Sequence, residues 1–258
     1  MSSDPILALT GLCKSFGGIA ALRDVSIEVP RRRTVGVIGP NGAGKTTLFN
    51  LVTGAIRPSA GDIVFDGDSI RALPPHRIAR RGIARTFQNI RLFAGMTVWE
   101  HLLVAQHATG PRRLLPAGWA DREARRQAED VMNFFALGHV RHRPAASLPY
   151  GIQRKVEMAR ALVAEPKLLL LDEPVAGMNA DEAEALRVLL LALRDRGLTI
   201  LVIEHDMPFV LNLCDHLHVL DFGTLIAAGE PAAVRRDRSK DQGSQRAGLS
   251  PRSASTTL

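Results

Sequence analysis

One short stretch of the chain has residue types and spacing that could bind the phosphates of a nucleotide. It matches the pattern G-x-x-x-x-G-K-[ST] and consists of Gly39, Pro40, Asn41, Gly42, Ala43, Gly44, Lys45 and Thr46, followed by Thr47. Glycines let the backbone curl so that its N–H groups point at phosphate oxygens, and a helix N-terminus adds partial positive charge. We therefore expect Lys45 to pair with the β- and γ-phosphates and the Thr46 hydroxyl to ligate Mg²⁺.

Two acidic residues follow an apolar run later in the chain. Lys167–Leu171 reads as a buried strand, and Asp172 and Glu173 come directly after it. A carboxylate at the carboxyl end of such a strand can reach Mg²⁺ at a phosphate loop, so we assign that role to Asp172. Glu173 is placed to polarise a water that attacks the γ-phosphate. Acid pairs at strand ends are also common without any function, but the phosphate loop in the same chain favours the functional interpretation.

A second apolar run, Leu198–Ile203, is followed by Glu204, His205 and Asp206. If the two runs form neighbouring parallel strands, His205 lies beside the same site. An imidazole there can donate a hydrogen bond to a γ-phosphate oxygen. A histidine taken alone is more often a surface or packed side chain, and it is the position of His205 at a strand end that favours the functional role.

The elements around these residues predict an α/β fold. Thr34–Ile38 reads as a buried strand that enters the phosphate loop, and residues 46–52 read as the helix that leaves it. The continuous apolar runs are typical of parallel strands buried on both faces. Between the two later strands, Asn179 can cap a helix whose apolar stripe consists of Leu186, Leu190 and Leu193. Strand, helix and strand after a phosphate loop indicate an α/β core.

Two other regions surround and interrupt this core. Residues 6–33 and the glycine-bracketed run 61–67 read as strands with turns, which predicts a small antiparallel β region. Residues 90–165 carry helical patterns and predict a helical insertion. We expect residues 1–234 to form one nucleotide-binding domain. Residues 235–258 are rich in Ser, Arg and Gly without apolar periodicity, so we expect a disordered tail.

The composition disfavours several classes of protein. In 258 residues, no apolar run approaches the roughly 20 residues of a membrane-spanning helix, and the first residues show no signal-peptide pattern. The net charge is +7, but +4 of it lies in residues 235–258. The remainder is therefore not strongly basic, and we expect no nucleic-acid partner. Cys13 and Cys214 lack metal-ligand spacing and are expected to be isolated thiols.

Further motifs accompany these residues in a specific order along the chain. They are Phe16, Gln88, the segment Leu148-Pro149-Tyr150-Gly151 and the segment Val175–Asn179. With the phosphate loop and the two strand ends, this set resembles the nucleotide-binding subunits of ABC transporters over residues 6 to about 234. The resemblance implies a P-loop ABC ATPase core with an antiparallel β subdomain and an inserted helical subdomain.

The resemblance also implies roles for residues that the chemistry alone does not assign. Phe16 falls where the family places an aromatic ring against adenine. Gln88 falls in the glutamine loop, which senses Mg²⁺, water and the membrane partner, so it is both a catalytic and a metal-site candidate. Pro149, Tyr150 and Gly151 fall in the signature, which contacts the ATP bound to a partner subunit.

Longer segments narrow the resemblance to one branch. Gly82–Phe93, Leu102–His107, Ala176–Asn179 and Ile203–Met207 are similar to the ATPase subunits of branched-chain amino-acid importers. This implies that the chain hydrolyses ATP, with Mg²⁺ as cofactor, and that the hydrolysis powers import. It also implies that the chain is a peripheral protein on the cytoplasmic face of the inner membrane. The implied partners are a second ABC ATPase subunit in a hetero- or homodimer, integral membrane permease subunits and, indirectly, a solute-binding protein. Importers of urea, short amides or aromatic acids share much of this pattern, so the solute stays open.

The signature departs from its usual form, Leu-Ser-Gly-Gly-Gln. Pro149 stands at the serine position and supplies neither a hydroxyl nor an N–H. In ABC dimers the signature completes the partner's site, and from the departure we hypothesise an asymmetric dimer. The site built on this chain's Lys45, Asp172, Glu173 and His205 is then complete, and the site that Pro149 completes is weaker.

Three other classes fit the sequence less well. Soluble ABC ATPases of DNA repair or translation commonly carry two ATPase halves or a long coiled coil, whereas this chain has one phosphate loop and no sustained heptads. P-loop GTPases read guanine with Asn-Lys-x-Asp, which is absent. A binding module without chemistry has no need of Glu173 and His205 beside a phosphate loop.

Overall fold

The computed structural model describes residues 4–109 and 117–236, with side chains for 4–106 and 122–236. In this part of the chain, the strands are β1 (Pro5–Phe16), β2 (Ile19–Pro30), β3 (Thr34–Ile38), β4 (Ala60–Phe65), β5 (Asp68–Ser69), β6 (Ile83–Arg85), β7 (Leu168–Asp172), β8 (Thr199–Ile203), β9 (His216–Asp221) and β10 (Thr224–Gly229). The α-helices are α1 (Lys45–Val52), α2 (Pro75–Arg80), α3 (Val98–Thr109), α4 (Ala117–Phe134), α5 (Tyr150–Leu162), α6 (Ala180–Asp195) and α7 (Met207–Leu213).

A mostly parallel sheet lies at the centre of the fold. Its strands follow the order β10-β9-β3-β8-β7-β6, and β10 alone among these described strands is antiparallel to its neighbour. Successive side chains point to opposite faces. Leu168 and Leu170 therefore enter the core shared with α1, while Leu169 and Leu171 enter the core formed with α5 and α6. All four are fully buried, which confirms the predicted α/β core with parallel strands covered on both faces.

An antiparallel sheet packs beside it, with the strand order β2-β1-β4-β5. This confirms the predicted antiparallel β region, but β1 and β2 each span 12 residues instead of several short runs. Their pairing shifts register between Leu9 and Leu12 and again between Leu12 and Lys14. Such irregularities break the apolar alternation along a strand, which explains why the sequence predicts short segments.

Helix α6 begins with a complete capping box. Asn179 Oδ1 accepts a hydrogen bond from the Glu182 N–H at 2.9 Å, and Glu182 Oε2 accepts one from the Asn179 N–H at 3.1 Å. The two bonds satisfy N–H groups that the start of a helix leaves free. The helix and its cap are confirmed, and its predicted stripe is buried, namely Leu186, Leu190 and Leu193.

The predicted helical stretch 90–165 contains α3, α4 and α5. Two short 3₁₀ turns, Gly138–Val140 and Ala145–Ser147, connect α4 to α5. Among the residues of this stretch that the structure describes, strand-like pairing is limited to one isolated bridge between Thr97 and Pro144. The described helices of this stretch therefore all lie between β6 and β7.

The described chain ends in a helical turn over residues 231–236. This turn includes the first two residues of the predicted tail, Arg235 and Arg236. Residues 237–258, which we predict to be disordered, lie outside the described residues.

No helix in residues 4–109 and 117–236 combines the length and apolar character needed to span a membrane. Both cysteines are free thiols, as predicted. Cys214 is buried, and burial raises the pKa of its thiol.

His218 is a buried titratable group on β9. Its side chain is 6% exposed, and its ring centroid lies 4.9 Å from that of His216. Burial, followed by the charge of His216, lowers the pKa of His218 to about 4. An unfolded chain binds this proton near pH 6.5, so between these values the unfolded state holds a proton that the folded state does not. The resulting stability is complete above about pH 6.5 and is lost as the pH falls toward about 4.

We predict that His218→Leu makes the protein less sensitive to acid. Between about pH 7 and about pH 4, the free energy of unfolding of the wild type should fall by up to about 3 kcal/mol more than that of the variant. Urea unfolding at several pH values measures this difference. His76→Gln is the control, since His76 is exposed and its replacement should keep the wild-type slope. Equal slopes for the wild type and His218→Leu would contradict the assignment.

Candidate functional site

The predicted phosphate loop lies between β3 and α1, at the carboxyl end of the parallel sheet. Two of its glycines are in close contact with neighbouring backbone. A Cβ on Gly39 would lie 2.0 Å from the Leu220 carbonyl oxygen, and a Cβ on Gly44 would lie 2.6 Å from the Ala21 carbonyl oxygen. The φ angles are 155° for Gly39 and 102° for Gly44. Only glycine fits these positions, so the curled loop depends on them.

The tip of the loop and the start of α1 are open to solvent. A Cβ on Gly42 would meet no atom within 4 Å, and Ala43 is buried beneath the tip. The predicted phosphate-binding residues that are exposed or partly exposed are Gly39, Pro40, Asn41, Gly42, Gly44, Thr46 and Thr47. A phosphate group therefore has access to a glycine-rich loop and a helix N-terminus, the combination that binds anions.

Lys45 is the first residue of α1 and folds back over the loop. It is 7% exposed, and its Nζ donates hydrogen bonds to the carbonyl oxygens of Gly39 at 2.8 Å and Pro40 at 2.9 Å. Burial lowers the pKa of Lys45, and the negative charges of Glu173 and Asp172 act in the opposite direction. The ammonium group therefore interacts electrostatically with the predicted catalytic carboxylate, Glu173, and with the predicted metal ligand, Asp172.

Asp172 ends β7 and is 5% exposed. Its Oδ2 accepts a hydrogen bond from Arg85 Nη2 at 2.7 Å, and Arg85 Nη1 donates to Asn50 Oδ1 on α1 at 2.7 Å. Arg85 therefore connects Asp172 to the helix of the phosphate loop. The sequence pattern does not single out Arg85, because the contact joins residues 87 positions apart.

The oxygen donors of Thr46 and Asp172 fit Mg²⁺. Thr46 offers a hydroxyl on the exposed first turn of α1, and Asp172 offers a carboxylate on a strand that ends at the same edge of the sheet. Mg²⁺ is usually held by one or two carboxylates together with substrate phosphates. The metal-binding role of both residues remains a prediction.

Glu173 occupies an unusual backbone conformation next to Asp172. Its φ is +47°, which costs on the order of 1–3 kcal/mol for a residue other than glycine, and strain of this kind clusters at active sites. Its N–H donates to the Ile203 carbonyl at 2.9 Å. Its Oε2 accepts a hydrogen bond from Gln88 Nε2 at 2.6 Å. The structure thus brings Gln88 and Glu173 together, and their catalytic roles remain predictions.

His205 lies on the other side of Glu173. Its side chain is 66% exposed, and its Nδ1 is 4.0 Å from Glu173 Oε1 and 3.4 Å from Glu204 Oε2. The strand ends therefore converge as expected, with an accessible imidazole beside a partly buried carboxylate.

Phe16 lies at the β1–β2 hairpin, outside this cluster. Its ring is 47% exposed and lies 4.9 Å from Lys14 Nζ. Phe16 pairs with Ile19, and β2 touches the phosphate loop two residues later, at Ala21. The hairpin end therefore adjoins the loop, and the adenine contact of Phe16 remains a prediction.

The three signature residues, Pro149, Tyr150 and Gly151, lie at the start of α5. Tyr150 Oη donates to the Ala176 carbonyl at 3.0 Å, and a Cβ on Gly151 would lie 2.6 Å from Glu182 Oε1. These contacts are with the loop after β7 and the first turn of α6, and not with the phosphate loop. The structure therefore does not bring the signature residues to this chain's own phosphate site, and their role toward a partner's nucleotide remains a prediction.

A buried ion pair on α5, between Arg154 and Glu157, is not apparent from the sequence. The charged groups are 2.8 Å apart, and the side chains are 1% and 0% exposed. Arg154 donates to the carbonyl oxygens of Phe87 at 2.8 Å and Gln88 at 2.9 Å, and Glu157 accepts from the Phe87 N–H at 3.2 Å. The pair ties α5 to the glutamine loop. Charges three residues apart on a helix usually lie in solvent, so spacing alone gives no sign of this burial.

Comparison with known proteins agrees with the geometry. Residues 22–176 match the protein-family model described as ABC transporter. The high-affinity branched-chain amino acid transport ATP-binding protein BraF of Pseudomonas aeruginosa is 43% identical over 241 residues, which cover 90% of this chain and 94% of that protein. The corresponding protein LivG of Salmonella typhimurium is 44% identical over 243 residues, covering 91% of this chain and 95% of that protein.

A solved structure shows the same fold. The ADP conformation of MJ1267, an ATP-binding cassette of an ABC transporter, superposes with a TM-score of 0.83 at 33% identity. The match covers 93% of this chain and 97% of that chain. The fold implied by the motif order is therefore confirmed, and the chain belongs to the ABC transporter family as an ATP-binding subunit, whose characteristic activity is ATP hydrolysis.

Proposed function

We propose that the chain hydrolyses ATP to power import of a branched-chain amino acid, as a peripheral subunit on the cytoplasmic face of the inner membrane. The observation that carries the ATPase part is the meeting of the phosphate loop, Asp172, Glu173 and His205 at one sheet edge. The solute is proposed from the relatives BraF and LivG, whose names assign them to high-affinity branched-chain amino acid transport. Urea, a short amide or an aromatic acid is the alternative solute.

Binding begins at the phosphate loop. Lys45 leaves the loop carbonyls that it contacts and pairs with the β- and γ-phosphates, while loop N–H groups donate to phosphate oxygens. Phe16 stacks on the adenine. Thr46 and Asp172 would hold Mg²⁺, which would neutralise phosphate charge.

Hydrolysis follows at the γ-phosphate. Glu173 takes a proton from the attacking water as the water oxygen bonds to phosphorus, and ADP leaves with the electron pair of the broken bond. His205 donates a hydrogen bond to a γ-phosphate oxygen, where negative charge develops. Gln88, already bonded to Glu173 at 2.6 Å, connects this step to the glutamine loop.

A second ABC ATPase subunit completes the site in this proposal. ATP closes the two subunits head to tail, so the partner's signature reaches the phosphates held by this chain. In return, Pro149, Tyr150 and Gly151 face the partner's nucleotide. These three residues start α5 without contacting their own phosphate loop, which supports a role across the dimer.

An apolar groove beside the glutamine loop is the proposed docking site for a membrane permease subunit. It has a volume of about 470 Å³ and lies among α2, α3, α5 and the end of β6. Phe93 and Val104 line it with exposed fractions of 58% and 48%, and exposed large apolar side chains of this kind mark interaction sites. Phe87 also lines the groove, so a segment docked here touches the residue next to Gln88.

We predict that Glu173→Gln abolishes uptake of leucine, isoleucine and valine while ATP still binds. The amide keeps the shape of the side chain but cannot take the proton, so ATP turnover should fall by at least about 100-fold. The measurement is uptake of labelled leucine, isoleucine, valine and urea in cells whose chromosomal copy carries the change. Glu184→Gln, on the exposed face of α6, is the control.

The two parts of the proposal fail separately in this experiment. Loss of urea uptake with intact uptake of the three amino acids would identify urea as the solute and contradict the proposed branched-chain amino acid. The proposed ATPase activity would stand. Wild-type ATP turnover by the purified Glu173→Gln variant would contradict the role of Glu173 as the group that takes the proton from water.

We predict that Pro149→Ser raises ATP turnover in the assembled transporter. Pro149 is the N-cap residue of α5 and makes no side-chain cap, whereas serine supplies both a hydroxyl and an N–H. Repair of the partner's nucleotide site, which this signature completes, should raise ATP turnover up to about twofold. The new N-cap should also stabilise α5 by about 1 kcal/mol. Pro149→Ala is the control, because it restores the N–H without the hydroxyl. Unchanged turnover in Pro149→Ser argues against an asymmetric dimer.

We predict that Val104→Asp separates ATP binding from transport. A buried unpaired charge in the groove should weaken permease docking by at least about tenfold. The phosphate loop does not line the groove, so ATP should still bind. The measurements are co-purification with the permease subunits and nucleotide binding. Val188→Asp is the matched control, since Val188 is also on a helix and is 53% exposed. Equal co-purification of the two variants would place the docking surface elsewhere.

A further inference from the structure

Glu204 is a buried carboxylate between β8 and the exposed His205. Its exposed fraction is 0%, whereas the side chain of His205 is 66% exposed. The hydrolysis steps described above make no use of Glu204. A buried charge is costly unless polar groups surround it, so the partners of this carboxylate indicate what it does.

Three backbone N–H groups donate to Glu204. Its Oε1 accepts from Val175 at 3.2 Å, and its Oε2 accepts from His205 at 2.7 Å and Asp206 at 3.2 Å. Hydrogen bonds to a charged acceptor are roughly twice as strong as neutral ones. These bonds offset the cost of burial and hold the carboxylate in one orientation.

The two oxygens of Glu204 thereby join two loops. Val175 lies two residues after Glu173, in the loop that follows β7, and His205 lies in the loop that follows β8. The His205 ring lies against the same carboxylate, with Nδ1 3.4 Å from Glu204 Oε2 and 4.0 Å from Glu173 Oε1. One buried side chain therefore links the loop of Glu173 to the loop of His205.

We propose that Glu204 is a positioning residue for ATP hydrolysis. It sets the separation of Glu173 and His205 and the orientation of the His205 ring, and it acts through His205 without touching the nucleotide. This inference rests on the proposed function, in which Glu173 and His205 serve the hydrolysis step. The phosphate loop makes no contact with Glu204 in the hydrogen bonds described, so nucleotide affinity is independent of it.

The first test is a double-mutant cycle with Glu204→Gln and His205→Ala in the full chain. The amide of glutamine turns an N–H toward backbone donors and loses the charge. Glu204→Gln should lower kcat at least about tenfold and change the Kd for ATP by less than about twofold. In the His205→Ala background, Glu204→Gln should lower kcat no further, because the His205 side chain through which Glu204 acts is already absent.

A purely structural role gives a different result. The losses in kcat would then multiply, and that outcome overturns the proposal. Glu157→Gln is the matched control, because Glu157 is also buried, at 1% exposed, and contacts α5 and the Phe87 N–H instead of His205. Its effect should multiply with that of His205→Ala. If Glu204→Gln does not fold, Glu204→Asp replaces it in the double-mutant cycle with His205→Ala. Aspartate keeps the negative charge, but its side chain is too short to join both loops.

The second test does not depend on hydrolysis. The Cε1–H resonance of His205 is identified by its absence from the NMR spectrum of His205→Ala. It should shift in Glu204→Gln and keep its position in Glu157→Gln. An unshifted resonance in folded Glu204→Gln overturns the proposal. A wild-type chain without any ATP turnover would instead overturn the proposed function. Normal wild-type turnover, with losses in kcat from Glu204→Gln and His205→Ala that multiply in the double mutant, would overturn only the role of Glu204.

Discussion

The parallel pairing of β3, β8 and β7 is the constraint on which the site depends. Val37 and Asp172 are both paired with Ile203, so the three strands end side by side. β3 then enters the phosphate loop, β7 ends in Asp172, and β8 leads to His205. A slip of one residue would turn each side chain to the opposite face of the sheet. Apolar packing on both faces of these strands maintains the register.

Each charged group at this edge has a partner within the chain. Lys45 bonds to loop carbonyls, Asp172 to Arg85 and Glu173 to Gln88. Removing a partner from a buried charge costs several kcal/mol, so these contacts keep the charged groups in place without a nucleotide. In the proposed function, ATP exchanges some of these contacts, and we expect the Gln88–Glu173 hydrogen bond to couple nucleotide binding to the glutamine loop.

The sequence was sufficient to predict the parts of the fold that follow from local pattern. Apolar runs predicted β7 and β8, Asn179 predicted the start of α6, and strand ends predicted that Asp172, Glu173 and His205 lie together. The sequence assigns no role to Arg85, because the helical insertion separates β6 from its neighbour β7 along the chain. The burial of Glu204 is likewise unexpected, because charged residues are rarely fully buried and its three donors come from two separate loops.

Equilibrium binding of a fluorescent ATP analogue to the full chain tests the central claim most directly, namely that this sheet edge is an ATP site. Wild type and Lys45→Ala are compared with and without Mg²⁺. The account predicts binding by the wild type that strengthens with Mg²⁺ and that unlabelled ATP displaces. Lys45→Ala should bind at least about tenfold more weakly, because it loses charge-assisted hydrogen bonds to phosphate. Equal affinity of the two proteins, or no binding by the wild type, would contradict the account.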